Sequence, residues 1–187
     1  MHPMGEIAPL IRRPVEVDID KDYLELGIRS FGKGTFHKTP TKGTELGAKR
    51  IFRIKESDLL FNIVFAWEGA IAVATSNDNG RVGSHRFLTC VPKGNIATSE
   101  FLCFHFLTKA GLEQILAASP GSAGRNRTLG IKALEDIRVP LPPIDKQRNF
   151  TALIKALSAT NQIDEEVEKE WDSLLPAILD RAFKGEL

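Results

Sequence analysis

The stretch "IRVPLPPIDKQRNF", residues 137–150, limits this chain more than any other. A proline fixes φ, lacks an N–H and disfavours helix at the residue before it, so Pro140, Pro142 and Pro143 hold the run up to Ile144 extended. That places a boundary after Pro143. Beyond Ile144 there is no glycine until Gly185, and Phe150, Leu153, Leu157, Thr160, Asp164, Val167, Trp171, Leu174 and Ile178 recur at alternating spacings of three and four. This is the seam of a coiled coil, in which polar Thr160 and Asp164 weaken packing but fix register and partner. One helix over residues 145–175 would be about 46 Å long at 1.5 Å per residue. A helix that long cannot bury its stripe on a small domain, so it needs a partner helix from another chain. Pro176 should kink or end it, leaving "AILDRAFKGEL" as a last turn or short second helix.

The first 143 residues read as mixed α and β. "YLELGIRSF" (23–31) alternates apolar and polar side chains, "RIFRIK" (50–55) alternates again, and "LFNIVFA" (60–66) and "AIAVAT" (70–75) are β-rich runs with "WEG" as a tight turn between them. "SNDNGRVGS" (76–84) reads as a long loop before the strand-like "HRFLTCV" (85–91). "ATSEFLCFHFLTKAGLEQILAAS" (97–119) predicts helix capped by Thr98 or Ser99 and divided in two at Gly111. "SPGSAGRNRTLG" (119–130) then breaks the helix and carries Arg125, Asn126 and Arg127 at its tip. The predicted fold is α/β (mixed α+β) over residues 1–143, followed by a long C-terminal coiled-coil helix over 144–187. A chain of 187 residues can bury one substantial core of this kind.

Charge is uneven along the chain. From Ile144 onward six Lys/Arg stand against nine Asp/Glu, and since the whole chain carries +1, residues 1–143 carry +4. The excess concentrates where Arg29, Lys33, Lys38, Lys42, Lys49, Arg50, Arg53 and Lys55 face one acid, Glu45. A surface that meets phosphates has this composition, and so does a solvated face. The segment opens with "RSFGKGTFHK" (29–38), whose glycines suit a hairpin turn.

Enzyme signatures are missing. "FGKG" lacks the GxxxxGK[ST] of a P-loop and the GxGxxG of a dinucleotide loop, and no GxSxG elbow occurs. His2, His37, His85 and His105 are far apart with no HExxH or paired-cysteine spacing, so no metal and no cofactor are expected. His105, between Phe104 and Phe106, reads as a hydrogen-bonded core histidine. A small nuclease built on scattered carboxylates remains as a residual reading that no spacing supports. Cys90 and Cys103 have no CxxC partner and read as reduced, structural thiols. The longest apolar runs fall far short of the roughly 20 residues of a membrane span, and residues 1–14 show no secretory pattern, so no membrane and a cytoplasmic location are expected.

"LGIRSFGKGTFHK", "FAWEGAIAV", "GSAGRNRTLG", "VPLPPIDKQRNF" and the ending "LLPAILDRAFKGEL" together resemble the DNA-specificity (S) subunit of type I restriction-modification enzymes, over essentially the whole chain. The resemblance implies a target-recognition domain that reads half of a split double-stranded DNA site, followed by a helical spacer and dimerisation element. It implies a non-catalytic subunit that directs adenine methyltransferase (M) subunits and, through them, an ATP-driven restriction (R) subunit. The usual member has two recognition domains and two helices, whereas this chain has one of each and looks like a half-subunit. Two copies pairing their helices antiparallel about a two-fold axis would read a palindromic split site. The competing reading is a homodimeric interaction protein, a decoy that binds methyltransferase subunits without directing modification.

Candidate DNA contacts follow from side-chain chemistry. Arg125 and Arg127 flank Asn126 on a glycine-rich loop, and Arg pairs bidentately with guanine as Asn does with adenine. Lys33, Lys38, Lys42, Lys49 and Arg50 suit phosphates better than bases, because lysine is a point charge on a flexible stem. Arg29 begins the basic segment, and Arg81, His85 and Arg86 bracket the loop before a strand. Core packing is the first reading for Trp67, Phe31 and Phe36, and a DNA-facing aromatic the second. Phe150, Leu153, Leu157, Val167, Trp171, Leu174 and Ile178 are expected to pack a partner helix, while Gln147 and Arg148 are placed to cap that helix or to meet the methyltransferase.

Overall fold

The computed structural model describes residues 1–121 and 127–156 of the chain, and at its centre is a strand with no polar face. Leu59–Asn62 is the middle strand of an antiparallel three-stranded sheet, between Phe87–Cys90 and Ile71–Val73. Successive strand side chains point to opposite faces. Leu59 and Phe61, with Ile71, Leu88 and Cys90, enter one buried cluster, and Leu60, with Ala70, Ala72 and Phe87, enters another. The first face is covered by Leu102 and Phe106 of the Ser99–Leu107 helix and Ile115 of the Lys109–Ala117 helix. The second is covered by Leu26, Ile28 and Ile54. Leu59, Leu60 and Phe61 are covered on both faces and so are apolar at successive positions, which is why this run does not alternate until Asn62 at its half-buried end. Phe61 and Phe106 meet edge to face at 5.4 Å between centroids.

Smaller pairings surround this sheet. Ile51–Arg53 lies antiparallel between Val82–Ser84 and Pro14–Val15, Leu26–Ile28 pairs with Thr35–His37, Asp22–Tyr23 with Thr41–Lys42, and His2–Pro3 with Arg138–Val139. The mixed α/β expectation therefore holds, with local corrections. "WEG" belongs to a single turn of 3-10 helix, Ala66–Glu68, closed by Gly69 at φ +79°. The expected loop 76–84 contains a turn of 3-10 helix, Ser76–Asp78, and the strand Val82–Ser84.

The helical segment divides at Thr108, not at Gly111. Thr98 caps the first helix by accepting from Phe101 N at 3.2 Å, and Thr108 caps the second by accepting from Gly111 N at 3.1 Å. Gly111 sits inside the second helix, where a Cβ would lie 2.0 Å from the His105 carbonyl oxygen. The glycine thus lets the new helix start hard against the end of the old one. His105 is partly buried and its Nε2 lies 3.0 Å from Gln114 Oε1.

Two buried polar residues tie distant segments together. Asp58, 2% exposed, accepts from Arg13 Nη1 at 2.7 Å, from Arg13 Nη2 at 3.0 Å and from Lys55 N at 2.8 Å. Gln147 is completely buried: its Oε1 accepts from Thr98 N at 3.1 Å, and its Nε2 donates to Ile96 O at 2.9 Å and Pro142 O at 2.8 Å. Gln147 is therefore a clasp between the proline run and the cap of the Ser99–Leu107 helix, and it has no atom to offer a methyltransferase.

Both cysteines are free. Burial, with Glu135 and Asp58 adding negative charge, pushes the Cys90 thiol up to about 12, and burial with Glu100 does the same for Cys103, to about 12. The thiolate is the reactive form, so at pH 8 the native protein should leave both thiols unreacted with a disulfide reagent and release both only on denaturation. Rapid modification of either in the native state would contradict this burial.

Residues 144–156 are helical, with Phe150 partly buried and Leu153 58% exposed. Leu157, Val167, Trp171, Leu174 and Ile178 lie outside the described residues, and so does the expected coiled coil. Met1–Gln147 forms one compact unit, and Arg148 begins another.

Candidate nucleic-acid interface

"RSFGKGTFHK" folds as a hairpin, in which Leu26, Gly27 and Ile28 face His37, Phe36 and Thr35. Gly27 has a packing reason: a Cβ there would lie 2.2 Å from the Phe36 ring, so the ring occupies the space a side chain would take. Arg29 sits with its guanidinium carbon 5.0 Å from the centroid of that ring, and its Nη1 donates to Thr35 O at 2.6 Å. The tip turns through left-handed backbone at Phe31 (φ +62°), Gly32 (+66°) and Gly34 (+74°). It is fastened to the Ala66–Gly69 turn: Phe31 N donates to Glu68 O at 2.8 Å, Gly32 N to Gly69 O at 2.9 Å, and Ser30 Oγ to Glu68 Oε2 at 3.2 Å.

Phe31 itself is 76% exposed, which overturns core packing as its role. Phe36 is partly buried within the hairpin. Trp67 does pack against the main core, with Nε1 donating to Val64 O at 2.9 Å.

The other end of the hairpin is held by Asp78, which is completely buried. Its carboxylate accepts from Thr35 Oγ1 at 2.9 Å, His37 Nε2 at 2.8 Å, Thr75 N at 2.8 Å and Thr75 Oγ1 at 2.9 Å. Burial alone would raise this carboxyl, but the bonds from the Thr75 backbone, His37, the Thr75 hydroxyl and Thr35 outweigh it and hold the group below its ordinary value. The Thr75-to-Asp78 spacing is a capping box, a local signal in the sequence that the loop-like composition of 76–84 masks.

The cations sort into groups. Because Ser84 pairs with Ile51, the segments that carry Lys49–Arg50 and His85–Arg86 emerge side by side at one end of that strand pair. Lys33, Lys42, Lys49, Arg50 and Arg86 are exposed and form no ion pair among the described residues. Lys38 differs, since its Nζ lies 2.9 Å from Glu25 Oε2. Arg81 is partly buried and donates from Nε to Asn77 O at 3.2 Å. Arg127 Nη1 reaches Ser119 O at 3.4 Å, closing the base of its loop, while Arg125 and Asn126 are outside the described residues.

Sequence-distant pieces converge on the Ala66–Gly69 turn. Glu68 and Gly69 hold the hairpin tip, and Trp67 lines a hollow with Arg127 and Lys109. Lys109 was not foreseen, because on the sequence it is one cation within a helix. Among the described residues, no group of three or more His, Cys, Asp or Glu is placed to hold a metal, and no helix is long and apolar enough to cross a membrane.

This architecture is of one class with solved restriction-modification proteins. It is similar to the HsdS subunit from Thermoanaerobacter tengcongensis, with a TM-score of 0.72 and 20% identity over 96% of this chain and 47% of that one. It is also similar to a chain of a type I R-M system solved for its complex assembly and conformational transition, with a TM-score of 0.58 and 21% identity over 100% of this chain and 46% of that one. A family model, "Type I restriction modification DNA specificity domain", matches residues 33–170, and the chain belongs to that family. It spans just under half the length of both solved chains. No curated protein gives a significant match.

Proposed function

We propose that this chain is a sequence-specific DNA-recognition subunit that directs adenine methyltransferase subunits, and through them a nuclease and translocase subunit, to a split target. The family match over residues 33–170 carries this reading, because it runs from the basic hairpin through the proline boundary into the helical segment. Residues 1–143 are the recognition domain, and 144–187 the spacer and dimerisation element. The exposed Lys33, Lys42, Lys49, Arg50 and Arg86 suit phosphate contacts, and Arg125, Asn126 and Arg127 suit base contacts. Lys38 and Arg29, each bonded within the hairpin, suit the positioning of that surface more than free phosphate capture.

Two copies pair through Phe150, Leu153, Leu157, Val167, Trp171, Leu174 and Ile178 and read a palindrome in two parts. The alternating three-and-four spacing of these residues supports such a partner. Duplexes of random sequence, bound by the full chain and sequenced from the retained pool, should enrich two inverted half-sites at fixed separation. Absence of enrichment would overturn the reading in favour of an interaction protein that binds methyltransferase subunits without directing them.

A further inference from the structure

We propose that Phe31 is a stacking wedge that enters the duplex at a base step of the recognition site. This rests on the DNA-recognition reading above and assigns a residue that the charge pattern does not reach. The side chain is 76% exposed, so the core does not explain it, and its backbone stands at φ +62°, a conformation that glycine adopts freely and phenylalanine resists. Gly32 and Gly34 beside it, at φ +66° and +74°, show what folding alone would favour at such positions. Strained, non-glycine left-handed residues persist where the surroundings over-determine them and collect at ligand clamps.

Here the surroundings are visible. Phe31 N and Gly32 N are bonded at 2.8 and 2.9 Å to Glu68 O and Gly69 O, and the Glu68 carboxylate is engaged by Ser30 Oγ. The Cα of Phe31 stands against Gly69, where a Cβ would come within 3.4 Å of it. The turn thus presents a large ring outward on a backbone that cannot easily relax. Cations flank it on both sides: Arg29, fixed by Thr35 O and the Phe36 ring, and Lys33, exposed and without an ion pair among the described residues. An apolar wedge between cations matches a duplex, whose stacked bases lie between two rows of phosphate. A backbone already held by these bonds gives up little further freedom when the ring inserts.

The test uses the full chain and duplexes of the selected sequence with 2-aminopurine replacing each adenine in turn. Wild-type protein should brighten the probe at one base step, reporting local unstacking. Phe31→Gly should abolish that signal and weaken binding about tenfold to a hundredfold, while its melting temperature stays equal or rises because the backbone strain is relieved. Phe31→Leu, which keeps an apolar wedge, should retain part of the signal. Unchanged affinity and signal in Phe31→Gly would overturn the wedge alone, as would lost affinity with the signal intact, which marks a surface contact. Wild-type protein that retains no duplex from the random pool would overturn the recognition reading itself.

Discussion

Replacing Asp78 with alanine should destabilise the domain by about 3 to 5 kcal/mol, read as a fall in the urea midpoint at unchanged slope. The carboxylate is completely buried and holds four donors, two from the hairpin (Thr35 Oγ1 and His37 Nε2) and two from Thr75. Deleting it leaves the Thr35 and Thr75 donors without their acceptor, while exposed His37 can turn to solvent, and the penalty for an unmade buried bond exceeds the gain from a made one.

The pH dependence has a definite sign. Asp78 has a depressed carboxyl in the folded state, so the unfolded chain takes up its proton first as pH falls. Its stabilisation is complete above the ordinary aspartate value of about 3.9 and is lost as pH falls through the lower folded value. Asp78→Asn should remove that portion of the acid sensitivity and only part of the stabilisation, since the amide oxygen still accepts. A change under about 1 kcal/mol would mean that water reaches the site and compensates. Because Asp78 also holds the hairpin, the proposed DNA-recognition role predicts that either variant weakens duplex binding even under conditions where it remains folded.

Some of this was readable from residue order alone, and the reasons for the remainder are physical. The apolar run at 59–61 announces a strand, but which of its residues meet helices and which meet the hairpin depends on partners elsewhere in the chain. Val82–Ser84 has the composition of a loop and becomes a strand only because Ile51–Arg53, some thirty positions earlier, offers it an edge. Thr98 is recognisable as a cap because capping is local, whereas Gly111 resembles a helix breaker by residue type alone and in the fold admits the His105 carbonyl across a helix junction. Charge is equally visible in the sequence, yet the pairing of Lys38 with Glu25, thirteen residues away, requires the fold. Phe31 shows the limit most clearly: hydrophobicity argues for burial, and only the left-handed tip set by its glycine neighbours turns the ring outward.

Gln147 separates a partner contact from a structural clasp. Gln147→Ala should destabilise the protein by about 2 to 4 kcal/mol, because Thr98 N, Ile96 O and Pro142 O each lose a buried partner. A residue kept to meet a methyltransferase would leave urea unfolding unchanged when removed. Gln147→Glu is the more discriminating variant. Its carboxylate can still accept from Thr98 N, but at neutral pH it places an acceptor against two carbonyl oxygens and has no donor to satisfy them. That variant should therefore be at least as unstable as alanine at pH 7 and should recover as pH falls, since a buried acid with a raised folded value binds its proton more tightly than the unfolded chain does. Circular dichroism across a pH series would read this directly. Stability of the Glu variant equal to wild type at pH 7 would mean that the proline run and the helix cap are not joined through this side chain.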